Sequence, residues 1–256
     1  MPSVIYEKRG KMAYITLNRP KMHNALNRES AKELEDIWVD FRDDDDLMVA
    51  ILSGKGKSFC SGADVGAISM GKWDLSKSLI FGDKPVIAPH RYEVLKPIIA
   101  AVHGYVLGAG MWLMLESDIR IAADDAKFGL PEPKVGIPTL FAPFLIDHLP
   151  RCMLNEMLFS AERMDAQRVY QAGLINKVVP RSELMKTAEE MADKLCENAP
   201  LALRAMKETL VRAKGLDHQS TVNLIGEVMT PVYNSEDSLE AKRAFKERRK
   251  PEWKGR

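Results

Sequence analysis

A chain of 256 residues, 46% hydrophobic and 29% charged, has the composition of a soluble globular protein and is long enough to bury a large core. Its formal net charge of +1 excludes the strongly basic profile of a general nucleic-acid binder, so no nucleic-acid partner is expected. No stretch reaches the roughly 18 uninterrupted apolar residues of a membrane span, so no membrane association is expected either.

The N-terminal MPSVIYEKRGKMAYITLNRP alternates like strands and carries no secretory signal. Residues 3–8 and 12–18 predict two short strands around Gly10, a hairpin signal. Residues 27–46 predict an amphipathic helix capped by Asn27, with Ala31, Leu34, Ile37, Trp38 and Phe41 at three- and four-residue spacing. The apolar runs 47–54 and 97–104 each end in glycine and predict buried strands. Gly71, Gly82, Pro85 and Pro89 break up residues 66–96, which read as a loop-and-helix cap. A short helical segment then leads to a strand at 119–123. Strands alternating with helices predict parallel pairing through crossover connections.

From Leu149 onward the pattern is helical, interrupted by one short strand within LINKVVP (174–180). Helices are expected over Arg181–Glu197, Leu201–Ala213 and Thr221–Tyr233. Cys60, Cys152 and Cys196 are far apart and form no C-x-x-C pair, which points to neither a disulfide framework nor a zinc site. A reducing cytoplasm fits this pattern, and a mature organellar enzyme would look the same.

Two glycine-containing turns each follow a predicted buried strand: KSFCSGADV (57–65) and HGYVLGAGM (103–111). Either alone reads as a tight turn that needs glycine. Together, two exposed backbone N–H groups converging on one point would stabilise a carbonyl oxygen gaining negative charge. Cys60 has no adjacent base to activate it and is not expected to be a nucleophile. His103 reads as a satisfied buried histidine.

Five segments occur in one order: TLNRP with K-x-x-NALN (16–27), SFCSGADV (58–65), PIIAAVHGYVLGAG (97–110), SDIRIAADDAKFGLPE (117–132) and AGLINKVVP (172–180). Across essentially its whole length the chain resembles the crotonase, or enoyl-CoA hydratase/isomerase, superfamily. The resemblance implies an α/β fold, a crotonase-like spiral of ββα units. Residues 1–195 would form the core with the CoA-thioester site, and 196–256 a C-terminal helical trimerisation region. It further implies an acyl-CoA thioester substrate, coenzyme A present only as part of that substrate, no tightly bound cofactor, no metal, and a homotrimer or dimer of trimers.

By the same resemblance, the N–H groups of Ala63 and Ala109 form the oxyanion hole and Glu132, ending FGLPE, is the acid/base residue. Hydratases of this family resemble one another in facing the substrate with two glutamates, and here Trp112 occupies the first of those positions. Two carboxylates suit hydration and one suits a proton shuttle, so ordinary hydration is disfavoured. Glu116, one turn on, would substitute for the missing acid or pair with Arg120 or an interface lysine, and Asp118 reads as a structural acid. Trp112, Glu116, His90 and Tyr92, with Pro138 and Leu140 from the bulky VGIPTLFAPFLIDHL stretch (135–149), are the expected acyl pocket. Lys21, Ala25, Leu26, Ser61, Asp64 and Val65 would line the CoA side, with Phe245 and Lys250 from the basic C-terminal tail.

The expected function is acyl-CoA chemistry through a stabilised thioester enolate, with isomerisation or a specialised hydration of an enoyl-CoA foremost. The alternatives are a CoA-thioester decarboxylase, hydrolase or ring-modifying relative, or a weakly catalytic CoA- or RNA-binding homologue.

Overall fold

The N-terminal hairpin forms as its alternation dictates. Strands β1 (Val4–Arg9) and β2 (Met12–Leu17) pair antiparallel with Val4 opposite Leu17, and Gly10 turns between them at φ 55°. The structure, a computed structural model, describes residues 1–66 and 87–256. The greater part of the cap expected over 66–96 lies outside the described residues.

Helix α1 (Arg28–Asp43) starts at a reciprocal cap. The Asn27 side chain accepts from the Ser30 amide while the Ser30 hydroxyl accepts from the Asn27 amide, so the helix start does not bury unpaired donors. Ala31, Leu34, Ile37, Trp38 and Phe41 form its buried face, as the spacing predicts. The helix stops at Asp43 and does not run on through the aspartates to residue 46, because acids at a helix C-terminus oppose its dipole. The buried Lys96 ammonium sits at that end and donates to the carbonyls of Phe41 and Asp44.

Strands β3 (Val49–Gly54), β4 (Ile98–Val102), β6 (Ile119–Ala123) and β9 (Lys177–Val179) extend the hairpin in parallel. The resulting six-stranded sheet has the order β1-β2-β3-β4-β6-β9. A smaller sheet joins β5 (Tyr105–Leu107), β7 (Lys127–Gly129) and β8 (Met164–Asp165) in the order β5-β7-β8. The run 97–104 therefore holds β4 of the large sheet and leads directly into β5 of the small one. The pairs β4–β5 and β6–β7 each send their first strand to the large sheet and their second to the small one.

The large sheet is buried on both faces, as its unbroken apolar runs require. Ala50, Leu52, Ile98 and Ala100 enter the main core, while Val49, Ile51, Ile99 and Ala101 point the other way. Helix α5 (Leu184–Cys196), preceded by a 3-10 turn over Arg181–Glu183, closes that second face with Leu184, Ala188 and Ala192. On the first face lies the short helix α2 (Ala109–Leu115), whose Met111, Leu113 and Met114 are fully buried.

The helical C-terminal third comprises α3 (Arg151–Ser160), α4 (Ala166–Gln171), α5, α6 (Pro200–Arg212), α7 (His218–Tyr233) and α8 (Glu236–Glu247). Helix α7 starts three residues earlier than its apolar pattern predicts, because Asp217 caps it by accepting from the Ser220 amide. Among the described residues no helix is long and apolar enough to cross a membrane.

Candidate active site

The two glycine turns meet through β5. Phe59 N donates to His103 O at 2.7 Å, Cys60 N to Tyr105 O at 2.9 Å, and Leu107 N to Cys60 O at 3.0 Å. This pairing carries Gly62 against the start of α2, where a Cβ added to it would stand 3.1 Å from Leu107 O and 3.6 Å from the Ala109 nitrogen. Gly62 and Gly108 take φ values of 106° and 50°, the left-handed half of backbone space in which a side chain is strained.

Two amides are left over by this arrangement. Ala109 is the first residue of α2, a position with no intrahelical acceptor. Ala63 bridges Leu26, but the bonds of that bridge run from Leu26 N to Gly62 O and from Asp64 N to Leu26 O. Among the described residues, neither the Ala63 nor the Ala109 N–H has an acceptor.

Glu132 opens a 3-10 turn over Glu132–Val135, and its carboxylate reaches back to the same place. A Cβ on Gly108 would lie 2.7 Å from Glu132 Oε1, so the absence of a side chain there is what admits the carboxylate. Glu132 Oε2 accepts from Thr139 Oγ1 at 3.2 Å. Burial raises the Glu132 pKa, opposed by hydrogen bonds from its own amide and from Thr139. A carboxyl group shifted upward in this way holds its proton more firmly than an ordinary glutamate, the direction that suits an acid/base residue.

Trp112 lies one turn into α2, its amide donating to Gly108 O at 3.1 Å. The side chain is 6% exposed and packs edge-on against Phe141 and Phe144, with ring centroids 5.0 and 5.1 Å away. Its Nε1 and the Ser117 Oγ are the buried side-chain polar atoms without a partner among the described residues.

Glu116 does not pair with Arg120: its Oε2 lies 2.5 Å from His90 Nδ1. Arg120 spends its guanidinium on the carbonyls of Leu115, Ser117 and Leu174. Asp118 is structural, accepting from the Ile98 amide and Lys207, each at 2.8 Å. His90, Glu116, Trp112 and Phe144 share the wall of a cavity of about 840 Å³. Tyr92 belongs instead to the main core, while Pro138 is exposed and Leu140 half-buried in the loop beyond Glu132.

Asn24 gathers the residues expected on the CoA side. Its amide donates to Lys55 O and Ser58 O and its carbonyl accepts from Arg19 N, fixing a loop in which His23 and Asn24 both have positive φ. Arg19 in turn pairs with Asp64 at 2.9 Å and donates to Ala25 O. Ala25, Leu26, Ser61 and Asp64 are thereby gathered beside Ala63, with Ser61 N donating to His23 O, while Lys21, in the turn Pro20–Met22, and Val65 are exposed. Among the described residues no contact brings Phe245 or Lys250 to this edge. Phe245 is 89% exposed on α8, and Lys250 pairs with Glu197 at 3.1 Å.

His103 is buried, its Nε2 3.2 Å from Gly56 O, and burial lowers its pKa to about 4, so it is neutral. Burial pushes the Cys60 thiol up to about 12, which leaves it unreactive. Sequence reasoning missed Thr139, Phe141, Phe144 and the Arg19–Asn24–Asp64 clamp. Arg19 and Asn24 stand in the TLNRP and NALN segments, but only the fold shows what they hold.

Packing between the turns is tight enough to test. A Cβ on Gly110 would lie 2.6 Å from both the Cys60 carbonyl oxygen and Cys60 Cβ. Gly110→Ala is therefore expected to cost about 3 kcal/mol, read as a lower urea midpoint at an unchanged denaturant slope.

A family model described as enoyl-CoA hydratase/isomerase matches residues 7–256. The chain is 38% identical over 257 residues to a short-chain-enoyl-CoA hydratase of Clostridium acetobutylicum, covering 98% of this chain and 97% of the relative. It is 38% identical over 256 residues to a carnitinyl-CoA dehydratase of Proteus mirabilis, covering 97% of each. The crystal structure of an enoyl-CoA hydratase from Mycobacterium tuberculosis superposes with a TM-score of 0.92 at 32% identity over 100% of both chains.

Proposed function

Because the chain belongs to the enoyl-CoA hydratase/isomerase family, we propose that the Ala63 and Ala109 amides receive the carbonyl oxygen of an acyl-CoA thioester while Glu132 alone moves the proton. The observation that carries this reading is the Glu132 carboxylate lying against Gly108, next to two amides that have no acceptor among the described residues. Two N–H donors aimed at the thioester oxygen stabilise an enolate more than the neutral thioester, so their effect falls on the transition state.

In an isomerisation the Glu132 carboxylate takes a proton from the α-carbon of a β,γ-enoyl thioester. The electron pair of that C–H bond moves into the enolate, the double bond shifts to the α,β position, and Glu132 returns its proton to the γ-carbon. A single carboxylate completes this cycle without water. Hydration with Glu132 alone requires the same group first to deprotonate water and then to protonate the α-carbon, with Trp112 offering no second proton carrier. Isomerisation is thus the foremost activity and a specialised hydration the second.

Lys21, Ala25, Leu26, Ser61, Asp64 and Val65 flank the CoA moiety, which arrives and leaves with the substrate, and no tightly bound cofactor takes part. Residues 196–256 form the association region of a homotrimer or dimer of trimers. Exposed apolar side chains on α6–α8, among them Leu210, Tyr233 and Leu239, support this reading. A neighbouring copy would bring Phe245 and Lys250 to the CoA edge. The setting is the cytoplasm.

A panel of enoyl-CoA thioesters tests the assignment. A β,γ-enoyl-CoA is expected to isomerise faster than crotonyl-CoA is hydrated. Faster hydration of crotonyl-CoA would overturn the single-carboxylate reading, and failure to bind any acyl-CoA would overturn the assignment as a whole.

A further inference from the structure

We propose that Trp112 is the end wall of the acyl pocket, restricting the enzyme to short acyl groups and closing off a second chamber that would house a longer chain. The proposal rests on the placing of the thioester at Ala63, Ala109 and Glu132.

Side chains three and four residues apart share a helix face, so Ala109 and Trp112 follow one another down α2, and Glu116, the residue that caps its end, comes next. An acyl group held by its carbonyl at the Ala109 amide and running along that face meets the indole one turn on. One turn rises about 5.4 Å, and an extended hydrocarbon advances roughly 1.25 Å per carbon for bonds of about 1.5 Å. The ring is thus met after roughly four carbons.

Beyond the ring lies open space. The cavity of about 840 Å³ is lined by Trp112, Leu115, Glu116 and Phe144, and by none of Ala63, Gly108, Ala109, Glu132 or Thr139. On its other side Trp112 packs against Phe141, two residues from the Thr139 that holds Glu132. The indole, 6% exposed, therefore touches the chamber wall and, through Phe141, the loop whose Thr139 holds the carboxylate. The chamber has the size of a ligand site, which typically runs to about 300–1,000 Å³. Val94, Leu95 and Leu115 give it apolar surface, and the His90–Glu116 pair, 2.5 Å apart, together with the Asp118–Lys207 pair forms a polar part of its wall. Trp112 therefore excludes a second glutamate and also sets where the acyl group must end.

The test is kcat/KM across a series of straight-chain enoyl-CoA thioesters, from roughly four to twelve carbons in view of the one-turn reach to the ring. Wild type, Trp112→Leu and Trp112→Ala are compared, with urea midpoints to confirm folding. Wild type is expected to fall at least about tenfold once the chain outruns the roughly four carbons that reach the ring, because further methylenes must then displace the packed indole. Trp112→Ala is expected to lose that fall and to gain about fourfold for each added methylene that enters the chamber. If Trp112→Ala does not fold, Trp112→Leu carries the same expectation with a smaller gain. Affinity for a saturated long-chain acyl-CoA, measured by calorimetry, should rise in parallel. Short-chain turnover with the same length profile in wild type and folded variants overturns the wall and leaves the thioester site standing. Absence of turnover on every member of the series, wild type included, overturns both.

Discussion

Glu132→Gln is expected to lower kcat by about 10³-fold, within the range supplied by one positioned acid–base group, while acyl-CoA affinity stays within a few-fold. Gln keeps the shape of the side chain and can still meet Thr139 and pack against Gly108, but it carries no transferable proton. Steady-state kinetics on the best substrate, with affinity measured separately, distinguish lost chemistry from lost binding. A variant that keeps full activity would remove Glu132 from the mechanism.

The same residue gives a signed pH dependence. Burial raises the Glu132 pKa in the folded state, so the native protein holds this proton more tightly than the unfolded chain. Below the unfolded pKa both states are protonated and burial of the carboxyl has no electrostatic cost. As pH rises through the folded pKa that relative stability is lost, because a charge must then be held in a desolvated site. Glu132→Gln should match wild type in acid and exceed it in stability at neutral pH, as read from urea midpoints. The acid limb of kcat/KM should lie above the ordinary glutamate value of about 4.3, since the carboxylate is the form that accepts the α-proton. An acid limb at or below that value would contradict the role of burial.

Ala109→Pro is expected to lower kcat by about 10²–10³-fold, the effect of losing one oxyanion donor. Proline is favoured at the first position of a helix, where its missing N–H is not needed by the helix itself, so α2 should persist. Gly108, at φ 50° and ψ −123°, is outside the α region that a following proline excludes. The substitution thus removes the donor and puts a ring carbon in its place. Far-ultraviolet circular dichroism should stay unchanged while turnover collapses, and turnover near wild type would exclude this amide from the reaction.

Much of this site is legible in the chain before any fold is seen, and for physical reasons. The large sheet announces itself through apolar runs buried on both faces, and α1 through a capping residue and a clean apolar stripe. The convergence of the two glycine turns is not legible from either turn. It depends on β5, whose three residues are too few for any periodicity and whose pairing with Cys60 spans more than 40 positions. The small sheet escapes sequence reasoning for the same reason.

Pairings of polar side chains are equally hidden. Glu116 stands four residues from Arg120, the spacing of a helical ion pair, yet α2 ends at Leu115 and the two residues do not share a helix. Once the helix ends, Arg120 turns to carbonyls and Glu116 finds His90. Thr139 lies in a loop without regular spacing, and only the fold places its hydroxyl on Glu132. Trp112 is the opposite case: its position is legible, but its neighbours Phe141 and Phe144 and the chamber behind it are not.

The carbonyl stretch of a bound, isotope-labelled thioester tests the central claim most directly, because it reports on the oxygen that the Ala63 and Ala109 amides would hold. The predicted result is a frequency lower on wild type than in water, with most of that shift lost on Ala109→Pro. A carbonyl on wild type that vibrates as it does in water, or a full shift that survives Ala109→Pro, would contradict it.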